Sequence, residues 1–303
     1  MNILITGGSG VIGECLVREA LARGHETSFT YHSRPSPIGN AQPIRLSLEE
    51  PARLAESLSS CKPDVLIHSA AFTNVDGCET EQEKARIQNA QASGELAKFA
   101  KSRGALFIYI STSFVFPKRD HAVREDEEPA PVNYYGQSKL DGELALRAVG
   151  GEWQIWRTDQ PYGWVPPGQK QNTVTRTLSL LKEGKEVREV EDWWNNPTYL
   201  PDFAAAGFAL IEKRAQGIYH LVGSSYATRA DWARATASAF GYNPALILTK
   251  RAGDMRLPAA RPNVNADNSK VQKETGVRMR TIEEALRDMR ADPRAVEFVS
   301  KGK

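Results

Sequence analysis

The feature that most constrains this chain is a glycine-rich turn between an apolar strand and an amphipathic helix, heading a strand–helix–strand alternation. Ile3-Leu4-Ile5-Thr6 reads as a short buried strand. Gly7, Gly10 and Gly13 follow it. Leu16, Val17, Ala20 and Leu21 then share one face of a helix over Glu14 to Arg23, stopped by Gly24. Thr27 to Tyr31 reads as a second strand, Pro51 to Ser60 as a helix and Asp64 to His68 as a strand. Gln82 to Arg103 reads as a long helix ended by Gly104, and Ala105 to Ser111 as a further strand. Apolar strands joined by helices pair in parallel, and the crossover helices cover both faces of the sheet.

The expected fold class is therefore α/β: a doubly wound parallel sheet of Rossmann type, with a smaller C-terminal substrate lobe. Such sheets hold ligands beyond the carboxyl ends of their strands, where strand order reverses. The GxxGxxG turn suits that place. Glycine lets backbone N–H groups approach a pyrophosphate, and the helix N-terminus adds positive potential. Gly7, Gly10, Val11, Ile12 and Gly13 are the expected cofactor contacts; the competing reading is a plain turn before a helix. At the end of the second strand an acid would bind the ribose hydroxyls of NAD. Tyr31-His32-Ser33-Arg34 carries no acid. Arg34 can pair with a 2′-phosphate and Ser33 can donate to it, so His32, Ser33 and Arg34 point to NADP(H) in preference to NAD(H). The alternative for Arg34 is a solvated loop residue.

Tyr135-Gly136-Gln137-Ser138-Lys139 is a YxxxK. Four residues apart on a helix, phenol and ammonium face the same side. A nearby cation stabilises phenolate and would lower the tyrosine pKa, which eases proton donation to a forming alkoxide. Ser111-Thr112-Ser113 at the end of a strand supplies a hydroxyl upstream of it.

Glycine-rich turn, strand-end hydroxyl and YxxxK together resemble the extended short-chain dehydrogenase/reductases, and more narrowly the dTDP-4-dehydrorhamnose reductase group. Ser111 to Phe116 is similar to that group's STDYVF. Glu125-Asp126, Pro129 and Pro131 to Glu143 are similar to its E-D…P-x-N-x-YGxSKLxGE. Ala70-Ala71, Thr73 to Asp76 and Glu79 resemble its AAxTxVDxxE loop, and Asn196-Pro197-Thr198 and Arg261-Pro262 its later PT and RP elements. The resemblance implies Thr112 on the substrate carbonyl, Tyr135 as general acid and Lys139 on the nicotinamide ribose. It also implies Ala70 and Ala71 as a floor under the cofactor and Asn89 near the site. Thr73, Asn74, Val75, Asn196 and Arg261 would contact substrate. Three departures stand out. Arg45 occupies the region where the group carries an aspartate near the adenine. Ser113 and Phe114 replace the aspartate and tyrosine of STDY. Asp159-Gln160-Pro161 interrupts RTxxxYG on the substrate side.

The chain has 303 residues, with Lys plus Arg 39, Asp plus Glu 37 and a net charge of +2, which gives no overall pull toward nucleic acid or anionic lipid. Three scattered cysteines and five scattered histidines make neither a disulfide framework nor a metal site. His68, at a strand end, reads as packed. Asp192-Trp193-Trp194-Asn195 reads either as a stacking surface or as packing between lobes, and Arg261 either as a diphosphate ligand or as half of an ion pair. No apolar run reaches membrane-spanning length and the N-terminus lacks a basic leader, so a cytoplasmic location is expected. The expected division is a cofactor domain over 1–160, with segments near 196–222 returning to it, and a substrate lobe over 161–303. Helices are expected near Asp202 to Arg214, Arg229 to Phe240 and Thr281 to Arg290. The leading expectation is NADPH-dependent reduction of a keto group on a nucleotide-linked sugar, in a chain able to form a homodimer. The alternatives are an epimerase or dehydratase that retains its cofactor, and a non-catalytic NADP-binding subunit resembling the methionine adenosyltransferase β subunit.

Overall fold

Seven strands make one parallel sheet: β1 (Asn2–Thr6), β2 (Glu26–Tyr31), β3 (Gln42–Arg45), β4 (Val65–His68), β5 (Leu106–Thr112), β6 (Trp153–Thr158) and β7 (Gly217–His220). Their order is β7-β6-β5-β4-β1-β2-β3, and every pairing is parallel. The coordinates are a computed structural model that describes residues 1–33, 38–165 and 169–299. Strand order reverses between β1 and β4, where Thr6 pairs with His68. A crevice for ligand is expected there.

Alternate side chains of the strands feed two apolar layers, because successive strand residues point to opposite faces. Ile3, Ile5, Phe29 and Ile67 face Leu16 and Val17 of α1 (Val11–Ala22). Leu4, Leu66, Phe107 and Ile155 face Leu96 and Phe99 of α2 (Ala92–Ser102) and Leu146 of α3 (Tyr134–Val149). Further along, α4 (Thr173–Lys182), α5 (Leu200–Glu212), α6 (Arg229–Ala239) and α7 (Ile282–Ala291) follow. Helix α5 puts Phe203 and Phe208 into the first layer beside Trp156, so it covers the main sheet. Helices α4, α6 and α7 instead close a separate core through Leu178, Trp232, Phe240, Leu286 and Met289.

Two segments differ from the sequence expectation. Gln82 to Arg103 is not one regular helix: Gln82–Ala85 runs into a wide π-helical turn over Arg86–Gln91, and α2 follows. Such turns gather at functional sites. Here the turn presents Asn89, whose amide accepts from Phe72 N–H at 2.8 Å and donates to Phe72 O at 3.0 Å and Ser138 Oγ at 2.9 Å. Strand β3 was not evident in the sequence. It is short, mostly exposed and contains Pro43, as suits an edge strand with little apolar patterning.

Candidate active site

The turn after β1 brings the chain against β4. Gly7 has φ +67°, and a Cβ there would sit 2.8 Å from Ala70 Cα, so a side chain is excluded by both conformation and space. Gly10 N–H donates to Gly7 O at 2.9 Å. Gly10 caps α1 without a side-chain acceptor, leaving first-turn N–H groups for a ligand. Behind the turn, a buried chain holds Ala70 in place. Ala70 N–H donates to Thr6 Oγ1 at 3.2 Å; that hydroxyl meets His68 Nδ1 at 2.7 Å, and His68 Nε2 meets Ser93 Oγ at 3.1 Å. Burial pushes His68 down to about 3, so it is a neutral link in this chain, packed as expected.

A cleft of about 1060 Å³ opens above the strand ends. Gly7, Gly10, Val11, Ile12, His32, Ala70 and Ala71 line it; Gly13 instead packs behind, against the Gly7 carbonyl. Ser33 is exposed and outside the lining, and Arg34 lies outside the described residues. Leu46, Ser47, Leu48 and Glu49 complete this end, while Arg45 is exposed away from it.

Thr112 is the last residue of β5, and Tyr135 is in the first turn of α3. Asn133 starts that helix: its Oδ1 accepts from Gly136 N–H at 2.7 Å, and its Nδ2 donates to Ala260 O at 2.9 Å. At Gly136 any Cβ would overlap the Phe114 carbonyl, so only glycine lets α3 begin this close to β5. Thr112 Oγ1 accepts the Phe114 N–H at 3.2 Å, which leaves the hydroxyl proton free to donate. Thr112, Tyr135 and Lys139 all line the cleft.

The electrostatics correct one expectation. Tyr135 is not lowered by Lys139. Burial raises it above the usual phenol range, with Cys78 and Asp159 adding to the rise and Thr112 opposing it. Lys139 is buried, with Nζ 4.0 Å from the Tyr109 ring centroid; burial brings it down to about 7 against the pull of Glu143. Tyr135 is thus held as a proton-bearing acid.

On the far side Thr73, Asn74 and Val75 line the cleft, with Asn74 Oδ1 also capping the next helix through Gly77 N–H at 3.1 Å. Arg261 pairs with Asp76 at 2.7 Å, as the ion-pair reading has it, and lines the cleft. Trp193 lies under two guanidinium groups, Arg229 at 5.0 Å and Arg261 at 5.4 Å. Trp194 points elsewhere and packs on Tyr226 at 5.2 Å. Asn196 departs from expectation. It is buried behind the wall, its N–H on Asp159 Oδ2 at 2.9 Å and its Oδ1 on Ala266 N–H at 2.8 Å. Its polar groups are spent inside the protein, so it supports Asp159 and is outside the cleft lining. Sequence reasoning missed Asn172, Thr173, Arg176, Arg229 and Trp232 in the lining. Arg176 and Arg229 share buried Glu189. No local spacing signals that convergence, because the three lie on separate elements.

A family model described as RmlD substrate binding domain matches residues 1–294. The chain is 31% identical to a probable low-salt glycan biosynthesis reductase of Haloferax volcanii, over 96% of this chain and 98% of that one. It is 32% identical to a dTDP-4-dehydrorhamnose reductase of Mycolicibacterium smegmatis, over 95% of this chain and 84% of the relative. The structure superposes with a TM-score of 0.80 on a dTDP-4-dehydrorhamnose reductase of Bacillus anthracis in complex with NADP, at 26% identity, covering 95% and 98% of the two chains.

Proposed function

The chain belongs to the RmlD substrate binding domain family, and from that premise we propose that it is an NAD(P)-dependent oxidoreductase of the extended short-chain type that reduces a keto group on a nucleotide-linked sugar. The observation that carries this reading is the meeting of the glycine turn, the Thr112–Tyr135 hydroxyl pair and the Lys139 ammonium on one cleft. The reductase relatives favour it over the epimerase and regulatory-subunit readings.

The cleft suits a dinucleotide. A Cβ at Gly7 would fill the space against Ala70, and the uncapped start of α1 offers N–H groups to a pyrophosphate. Gly7, Gly10, Val11 and Ile12 would hold the phosphates, Ala70 and Ala71 the floor, and Tyr135 and Lys139 the nicotinamide ribose. The absence of a carboxylate at Tyr31-His32 favours NADP(H), with NAD(H) the second cofactor. When bound, the reduced nicotinamide supplies hydride to the carbonyl carbon. Thr112 would hold the carbonyl oxygen through a hydrogen bond from its hydroxyl, keeping its own proton. Tyr135, kept protonated by burial, gives its proton to that oxygen as charge builds there. Lys139, fixed with Nζ 4.0 Å from the Tyr109 ring centroid, would hold the nicotinamide ribose.

We read residues 1–160 as the cofactor domain, rejoined by α5 and β7, and the remainder as the substrate lobe. No helix among the described residues is long and apolar enough to cross a membrane. A cytoplasmic enzyme without nucleic-acid partners suits the balanced charge. A homodimer belongs to this reading and is to be checked by light scattering. The deciding assay mixes purified protein, NADPH and dTDP-4-dehydrorhamnose. Stoichiometric NADPH oxidation is expected; none with this or UDP- and GDP-linked keto sugars removes the reductase reading.

A further inference from the structure

Asp159 is a buried ionisable group on the cleft that this mechanism leaves unused. It follows β6 directly, one residue past Thr158, whose strand partner is Thr112. Adjacent strands lie about 4.8 Å apart. Asp159 and Ser113 therefore extend neighbouring strands over the rim that carries Thr112. Asp159 is 4% exposed, yet it lines the cleft with Thr112 and Tyr135.

The residue is pinned. Its Oδ2 accepts the Asn196 N–H at 2.9 Å and its carbonyl accepts the Thr198 hydroxyl at 2.6 Å. The next residue, Gln160, has φ +40°, left-handed backbone in a side chain that is not glycine. Arg229 Nη1 on Gln160 Oε1 at 3.0 Å and Thr198 N–H on Gln160 O at 3.2 Å hold that conformation. Strain retained by such contacts marks a place where side-chain direction matters. The surroundings are polar and unsatisfied. Burial raises Asp159 to about 7, while Asn196, Asn195, Arg229 and Ser113 favour its charged form. Thr158 Oγ1 and Asn195 Oδ1 are buried without hydrogen-bond partners, and Ser113 Oγ and Asn195 Nδ2 have only the Asp159 carboxylate beside them. Buried polar groups are normally paired; of this cluster Thr158 and Asp159 line the cleft, where a ligand that brings hydroxyls would meet them, and Ser113 and Asn195 stand behind. A sugar hydroxyl donates to a carboxylate and accepts from a neighbouring hydroxyl at once.

We propose that Asp159 is a specificity-determining acceptor for the sugar hydroxyl beside the reacting carbonyl, with Ser113 completing its hydrogen bonds. The inference deepens the sugar-nucleotide reading above and rests on it. A deoxy analogue would take away the ligand's donor to the carboxylate and leave it only its protein partners, so the site selects against it.

The test uses calorimetric binding of dTDP-rhamnose and its 3-deoxy analogue to the NADP-saturated protein, beside the turnover assay. Wild type should bind the hydroxylated ligand about 10- to 100-fold more tightly, the range of a hydrogen bond to a charged group. D159A should bring the two within about threefold of each other, with NADP binding unchanged. D159N keeps the volume and the Asn196 contact, and guards against misfolding of D159A. It should lose about tenfold of the preference, because a neutral acceptor is the weaker one. Melting temperatures report folding of both variants. Unchanged preference in D159N, or in folded D159A, overturns the proposal while the reductase reading stands. Collapse of the preference without turnover by wild type keeps the Asp159 assignment and removes keto reduction. Binding of neither ligand by wild type removes both.

Discussion

In the proposed reaction the proton comes from Tyr135, whose surroundings are set by four elements. Phe114 meets its ring edge-on at 6.1 Å, Thr112 faces the phenol, and burial, more than Cys78 or Asp159, holds the proton on. Tyr135→Phe removes the acid and keeps the shape. Turnover should fall by about 10²- to 10⁴-fold, the usual share of general acid catalysis, with NADPH binding retained by fluorescence titration. The YxxxK spacing identified both residues from the sequence. It could not show that the ammonium would settle over the Tyr109 ring, because Tyr109 lies on β5 and nothing local to the helix records it.

Helix α3 is tied to the sheet by a buried ion pair. Arg157 on β6 gives Nε and Nη2 to Glu143 at 2.9 and 2.6 Å, and Ser111 on β5 adds its hydroxyl at 2.5 Å. The side chains are 2% and 1% exposed. Removing one partner leaves a buried charge without compensation. Glu143→Ala should therefore cost about 3–5 kcal/mol in urea unfolding. A Glu143→Met/Arg157→Met pair should recover much of that loss, since an apolar pair of similar volume can replace buried ions. Gly136 tests the same helix from its other end. Gly136→Ala should shift the start of α3 away from Phe114 and lower turnover more than stability, read as kcat against melting temperature.

For the molecule as a whole, two buried histidines tie stability to pH. Burial lowers His68 and His220 from the ordinary 6.5 to about 3, and Arg157 adds to the effect at His220. The unfolded chain takes up protons as pH falls through 6.5, whereas the folded chain resists until about 3. Their contribution is complete above 6.5 and is lost as pH falls across that window. The urea midpoint should decline between those limits. His220→Leu, which keeps an apolar body beside Phe116, should flatten the decline; an unchanged slope would show that carboxylates alone set it.

Local pattern alone determined the α/β class, the β1–α1 turn and the Tyr135–Lys139 spacing, because strand and helix periods and i,i+4 spacing are short-range; the family resemblance singles out Thr112. Local pattern also placed α5, α6 and α7 to within two residues. Tertiary structure decided what depends on distant segments meeting. It assigned Asn196 to the support of Asp159, paired Arg261 with Asp76, and gathered Arg176 and Arg229 at Glu189. It also carried Gly217–His220 back beside β6. Such contacts join residues many positions apart, and their favourable energy appears only once the sheet has closed the distance.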